Sequence, residues 1–209
     1  MRHGDQILVF AKFPEIGRCK TRLAKGLGER NTLRIYRALL DHTLAVVQSA
    51  PGLGVLCVDP DEHVTDGPQW AAGMDEYRAQ GPGKLGEKLE RAVRESFGKG
   101  ARRVILMGCD CPQISKDSVV SSFQALEQHD VVLGPTTDGG YYLIGLKEDL
   151  PFLFREIPWS SGKVLTKTLN ALNFHSLSYI LLDKFSDVDT QADFDRVRHL
   201  EPLKNLGIK

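Results

Sequence analysis

Four cysteines in 209 residues, at positions 19, 57, 109 and 111, fall far short of a small disulfide scaffold, and no Cys-x-x-Cys pair offers zinc spacing. A reducing compartment, the cytoplasm, is the expected location. No apolar run approaches the ~20 residues that a membrane-spanning helix needs. The opening Met1-Arg2-His3-Gly4-Asp5-Gln6 passes directly into an apolar strand too short for a signal-peptide core, so neither a leader nor a membrane span is expected. An excess of one charge is missing too, because 27 Lys+Arg balance 27 Asp+Glu. A neutral chain lacks the surplus cations that replace counterions on nucleic acid or an anionic membrane, so neither is an expected partner and any anion site must be local. Gly/Ser/Pro-rich linkers, low-complexity tracts and repeats are absent, which leaves one domain over residues 1–209. There is no Gly-x-Ser-x-Gly elbow, no His-Glu-x-x-His pair and no Gly-x-Gly-x-x-Gly after the first strand, which weighs against hydrolase, zinc-peptidase and dinucleotide-binding readings. The six histidines are scattered.

What the sequence does contain is alternation. Ile7-Leu8-Val9-Phe10-Ala11 reads as a buried strand that stops at a turn with Pro14 and Gly17. Leu33, Tyr36, Leu40, Leu44 and Val47 recur at helical spacing, so 29–49 is predicted as an amphipathic helix ended by Pro51 and Gly52. Strands are expected at 54–59, 75–79, 103–107, 130–134, 141–146 and 179–182, with helices at 85–97, 116–128, 161–173 and 190–200. Ser115 is a plausible N-cap for the helix at 116. Near-continuous apolar strands separated by helices predict a single-domain three-layer α/β/α fold with a mostly parallel, mixed sheet. Ligands in such sheets sit beyond the carboxyl ends of the strands, which directs attention to the loops at 12–25, 108–112, 135–140 and 183–190.

The first loop sets Lys12, Arg18, Lys20, Arg22 and Lys25 against the single acid Glu15, with Gly17 among them. Cations beside approachable backbone amides suit a di- or triphosphate, the alternative being a solvated basic surface. Gly81-Pro82-Gly83-Lys84-Leu85-Gly86-Glu87-Lys88 misses the Walker pattern, since Glu87 precedes the lysine and Leu89 replaces the hydroxyl; it is either a substrate-facing loop or an ordinary one. Asp110, in Gly108-Cys109-Asp110-Cys111-Pro112, is placed to hold a hard cation or to cap a turn. The flanking thiols are too few for a tetrahedral metal site. Asp138-Gly139-Gly140-Tyr141 is a hairpin turn or a ligand-facing loop. Asp189 could cap the last helix, as could Thr190, or complete a two-carboxylate metal site with Asp110.

In this order the loops resemble the GT-A-type nucleotide-diphospho-sugar transferase superfamily. They resemble more closely the bacterial glycosyltransferase-like family related to 2-phospholactate guanylyltransferases and molybdenum-cofactor nucleotidyltransferases. The matching segments are Phe10-Ala11-Lys12-Phe13-Pro14 with Gly17-Arg18-Cys19-Lys20-Thr21-Arg22-Leu23, Gly108 to Pro112, Leu133-Gly134-Pro135 with Asp138 to Leu146, and Asp187-Val188-Asp189-Thr190 with Asp193. The likeness runs from 7 to about 195 and is thinnest over 60–83. Trp159-Ser160-Ser161 also echoes a family motif, although a buried Trp has a structural use as well.

The resemblance implies a nucleotide and phosphate site at Lys12, Gly17, Arg18, Lys20 and Arg22, and Mg²⁺ or Mn²⁺ on Asp110 and Asp189. It further implies a substrate loop at Asp138, Gly139, Gly140 and Tyr141, and catalytic roles for Lys20, Asp110 and Asp138. The expected activity is a metal-dependent transferase on a nucleotide-activated substrate, in the first place glycosyl transfer from a nucleoside diphosphate sugar to a small acceptor. The alternative is nucleotidyl transfer from a nucleoside triphosphate to a phosphorylated small molecule with release of pyrophosphate. A non-catalytic nucleotide-sugar binding module is a third reading, and a homodimer is compatible with all three.

Overall fold

Side chains alternate across a strand, and the first strand shows what that does here. Within Asp5–Lys12 (β1), Ile7, Val9 and Ala11 enter one buried cluster while Leu8 and Phe10 join another on the opposite face. The computed structural model describes residues 4–208, so Met1, Arg2 and His3 of the leader reading lie outside the described residues. After β1 come α1 (Thr21–Leu27), α2 (Glu29–Ser49), β2 (Leu53–Asp59), α3 (Gly67–Trp70), β3 (Glu76–Ala79), α4 (Leu85–Gly98) and β4 (Arg103–Met107). The second half runs α5 (Lys116–Ala125), β5 (Val131–Pro135), β6 (Tyr141–Leu146), α6 (Val164–Phe174), β7 (Tyr179–Leu181) and α7 (Gln191–Val197).

The strands form one seven-stranded sheet in the order β3-β2-β1-β4-β6-β5-β7. All neighbours are parallel except β4 with β6 and β5 with β6. This is the mixed α/β sheet that the sequence predicts. One face is covered by Tyr36, Leu40, Leu44 and Val47 of α2 with Val119 and Phe123 of α5, the other by Leu89 and Val93 of α4 with Leu172 of α6. Each such side chain contributes about 1.5–3 kcal/mol when fully buried, which is why period 3.6 in the helices and near-continuous apolar strands are required together.

A third, smaller core lies off the sheet. Leu23 of α1, Ile35 and Leu39 of α2, Phe194 and Val197 of α7, and Leu203 and Ile208 of the tail pack around Val188.

Local signals explain most boundaries. The Ser115 side chain accepts from the Ser118 amide, capping α5 as predicted. The helices at 116 and 190 are shorter than predicted, ending at Ala125 and Val197 in turns. Helix α1 sits inside the segment predicted as a loop; only Leu23 of its seven residues is buried, so it has no apolar period to read. Among the described residues no helix is long and apolar enough to cross a membrane.

Candidate active site

From β1 the chain reaches β2 through α2 on one face. From β3 it reaches β4, on the other side of β1, through α4 on the opposite face. Connections that diverge in this way open a crevice at the carboxyl ends of β1 and β4. There the structure has a cleft of about 710 Å³, bounded by Phe10, Ala11 and Lys12 from β1 and by Gly108, Cys109 and Asp110 after β4.

At the centre is Lys20. It is the residue before α1 and takes a left-handed backbone, φ 51° and ψ 49°. That conformation costs a non-glycine residue about 1–3 kcal/mol and persists where surrounding contacts over-determine it. The contacts are clear: Nζ lies 2.8 Å from Oδ1 of Asp110 and 2.8 Å from Oδ1 of Asp189, with the lysine side chain only 5% exposed. Burial alone would lower the Lys20 pKa. The charges of the two carboxylates and their hydrogen bonds more than reverse this and hold it above its ordinary value. Asp189 is affected in the opposite sense: burial would raise its pKa, but Lys20 and Arg22 bring it below the ordinary value. Arg22 donates to the second Asp189 oxygen.

The two carboxylates are not used up by these pairs. Asp110 is 43% exposed and Asp189 29%, and both line the cleft, as do Lys12, Arg18 and Arg22. Arg18 is held by Glu15 at 3.0 Å. Thus the structure collects Lys12, Arg18, Lys20, Arg22, Asp110 and Asp189 around one space. Gly17 is outside the lining; its φ of +77° serves the turn before Arg18. Capping of α7 falls to Thr190, whose side chain accepts from the Asp193 amide, which leaves Asp189 to Lys20 and Arg22.

Asp138 has a local task. One of its oxygens accepts from the Thr136 hydroxyl at 2.6 Å and from the Gly140 amide at 2.9 Å, closing the β5–β6 hairpin turn. Gly139, at φ +90°, leaves no room for a Cβ, which would stand 2.3 Å from the Gly162 carbonyl oxygen, so here the glycine permits backbone packing. Tyr141 packs edge-on against Trp159. None of Asp138, Gly139, Gly140 or Tyr141 lines the cleft around Lys20, although Ser160 does. Asp187 links the regions electrostatically: burial, then the charges of Asp138 and Asp189, push its carboxyl up to about 6 against a backbone hydrogen bond and Lys20.

Three further lining residues carry polar chemistry that the sequence reading did not assign. Gln80, 6% exposed, donates from Nε2 to the carbonyls of Ala11 at 3.2 Å and Cys57 at 2.9 Å. Lys88 is bonded to Asp59 at 2.6 Å on the cleft wall. The third is Tyr36, whose spacing marks it only as one member of an apolar helix face. Gly83 and Leu85 also line the cleft, so the segment that misses the Walker pattern faces the same space.

Asp110 and Asp189 flank the Lys20 ammonium and offer only hard oxygen donors. That set suits Mg²⁺ or Mn²⁺ completed by substrate phosphates rather than an all-protein cage. Among the described residues no group of three or more His, Cys, Asp or Glu is arranged to hold a metal by itself.

Known proteins similar to this chain bear on its family and fold. The 2-phospho-L-lactate guanylyltransferase of Methanocaldococcus jannaschii is 26% identical over 203 residues, covering 94% of this chain and 84% of that protein. A crystal structure from Desulfovibrio desulfuricans G20, which carries a provisional nucleotide-diphospho-sugar transferase name, superposes with a TM-score of 0.88. It is 30% identical and covers 96% of this chain and 90% of the other. A CMP:2-keto-3-deoxy-manno-octonic acid synthetase complexed with CTP shares the fold alone, at TM-score 0.57 and 13% identity, covering 93% of this chain and 97% of the other. These relatives are transferases, and so is this chain. A family model described as "Uncharacterized protein conserved in bacteria (DUF2064)" matches residues 42–161, and the chain belongs to that family.

Proposed function

We propose that the protein is a divalent-metal-dependent nucleotidyltransferase joining a nucleoside monophosphate unit to a phosphorylated small molecule. The observation that carries this is the buried Lys20 ammonium shared by Asp110 and Asp189, with Lys12, Arg18 and Arg22 around the same cleft. A triphosphate needs several cations, and the opening loop supplies them at the carboxyl end of β1.

In the proposed reaction an acceptor phosphate oxygen attacks the α-phosphorus of the nucleoside triphosphate. The bond between the α-phosphorus and the bridging oxygen breaks, and pyrophosphate leaves. Asp110 and Asp189 would hold Mg²⁺ or Mn²⁺, which when bound neutralises charge on the phosphates. Lys20 and Arg22, already beside those carboxylates, would stabilise the departing pyrophosphate, and Lys12 and Arg18 would orient the chain of phosphates.

Gln80 supports a base rich in donors. Two carbonyl oxygens can accept only from its amide nitrogen, so its Oε1 is the end left to accept from a ligand in the cleft. Guanine, with its ring N–H and exocyclic amine, fits such an acceptor, in keeping with the guanylyltransferase relative. The four free, buried thiols suit the cytoplasm.

Glycosyl transfer from a nucleoside diphosphate sugar is the second reading, favoured by the name of the 30%-identical Desulfovibrio structure. The deciding experiment incubates the protein with Mg²⁺, a panel of phosphorylated small acids and sugars and, in separate reactions, each nucleoside triphosphate or a nucleoside diphosphate sugar, followed by ³¹P NMR. Pyrophosphate appearing with a new diphosphate-linked product, foremost with GTP, is the expected result. Turnover of a nucleotide sugar with no pyrophosphate from any triphosphate would refute nucleotidyl transfer.

A further inference from the structure

Tyr36 occupies the crevice where β1 and β4 part. The last residue of β4, Met107, pairs with Val9, so Lys12 extends beyond the end of its neighbour on that side. The backbone groups of Lys12 nevertheless have partners: its N–H donates to the Tyr36 hydroxyl at 2.8 Å, and the hydroxyl donates to its C=O at 2.8 Å. A phenol from α2 thus stands in for the missing strand. The same oxygen accepts from the Cys109 thiol at 3.7 Å, at the start of the loop that carries Asp110. One hydroxyl has one hydrogen and two lone pairs, enough for all three contacts, while the single thiol hydrogen of Cys109 has Asp110 Oδ1 at 3.9 Å as a second, longer acceptor. Tyr36 and Cys109 border the cleft but are each only 3% exposed, so a lost partner at this hydroxyl is not simply replaced by bulk water.

From this junction we infer that Tyr36 is a positioning residue that fixes the nucleotide loop and the carboxylate loop relative to one another. The inference rests on the proposed nucleotide site, because Lys12 and Asp110 are its two walls. Tyr36 transfers no proton in the reaction; it acts through the backbone of Lys12 and the thiol of Cys109. Burial, followed by nearby Cys109, Cys19 and Asp110, raises its pKa well above the ordinary phenol range, so it stays a neutral hydroxyl able to donate and accept together.

Two measurements on Y36F and C109A test this. The first is hydrogen exchange of the free protein. In Y36F the amide of Lys12 and the segment 108–113 should both exchange about tenfold faster, because each loses a buried hydrogen-bond partner. In C109A only 108–113 should loosen, and C109S, which restores an O–H donor, should return it toward wild type. Unchanged exchange of 108–113 in Y36F would overturn the inference, as would a uniform increase across the sheet, which marks global destabilisation. The second measurement is the factor by which Mn²⁺ tightens GTP binding, read by calorimetry. That factor, about tenfold or more for two coupled sites, should fall toward one in Y36F, whereas a merely structural loss would leave it intact. A wild-type protein that binds neither GTP nor another triphosphate would sink the proposed function, while the exchange experiment would still decide the role of Tyr36.

Discussion

Two clusters built on a buried cation lie at opposite ends of the sheet, and only one of them lines the cleft. Near the amino ends, Arg78 is 6% exposed and its guanidinium donates to both oxygens of Glu76, to Ser96 and to Gln6, with Glu95 3.5 Å away. Four of its five N–H groups are taken by the protein itself. At the carboxyl ends Lys20 is as deeply buried, yet its partners Asp110 and Asp189 keep part of their surface on an open cleft. Buried ion pairs are therefore not in themselves a sign of chemistry. Glu76 and Glu95 are as exposed as Asp110 and Asp189, so what distinguishes the second cluster is that its carboxylates open onto a cleft lined by further cations.

The largest effect expected from breaking this contrast is at Asp110. D110N should lower turnover by about 10²–10³-fold while leaving the fold intact, because it removes a charge where transition-state charge is balanced. Product formation and circular dichroism read the two halves of that statement. R78M should do the reverse. It removes one partner of a buried network and should cost about 3 kcal/mol in urea unfolding, with turnover of the folded fraction unchanged. A loss of activity in R78M without loss of stability would erase the distinction.

The smallest effect sharpens the structural side. Hydrogen bonds from Arg78, opposed by burial and aided by Lys99, hold the Glu76 carboxyl at about 2 against an ordinary 4.5. A carboxyl depressed in the folded state stabilises it above the ordinary pKa and loses that contribution as pH falls through the folded value. The window thus runs from about 4.5 down to about 2. E76Q should flatten the acid limb there by about 1 kcal/mol at most, since the site is partly solvated. Urea midpoints at pH 7 and pH 3 compare the variants.

Much of this was legible in the sequence, for identifiable reasons. Strands such as Arg103–Met107 read as apolar runs because both faces of the sheet are covered, and α2 read as a helix because its buried face repeats. The polar loops stood out against that background. The ion pair between Lys20 and Asp189 did not, since it joins residues 169 positions apart. Tyr36 was hidden by its own ring, which satisfies the helical pattern while its hydroxyl does something the pattern does not encode. Gln80 lies where the resemblance is thinnest, and Asp138 could be read as a hairpin residue or a ligand-facing one, of which its hydrogen bonds show the hairpin.

The third core has a mechanical meaning. Lys20 stands just before α1 and Asp189 just before Thr190, the N-cap of α7, and each helix has seven residues, well under the ~12–15 at which an isolated helix becomes viable. Neither could hold its shape without Leu23, Phe194, Val197 and the tail residues Leu203 and Ile208 packed together. The jaws of the cleft are thus hinged to a fulcrum separate from the sheet. A local opening of that small cluster would release both jaws at once while the seven strands stayed closed, since none of its members lies on a strand.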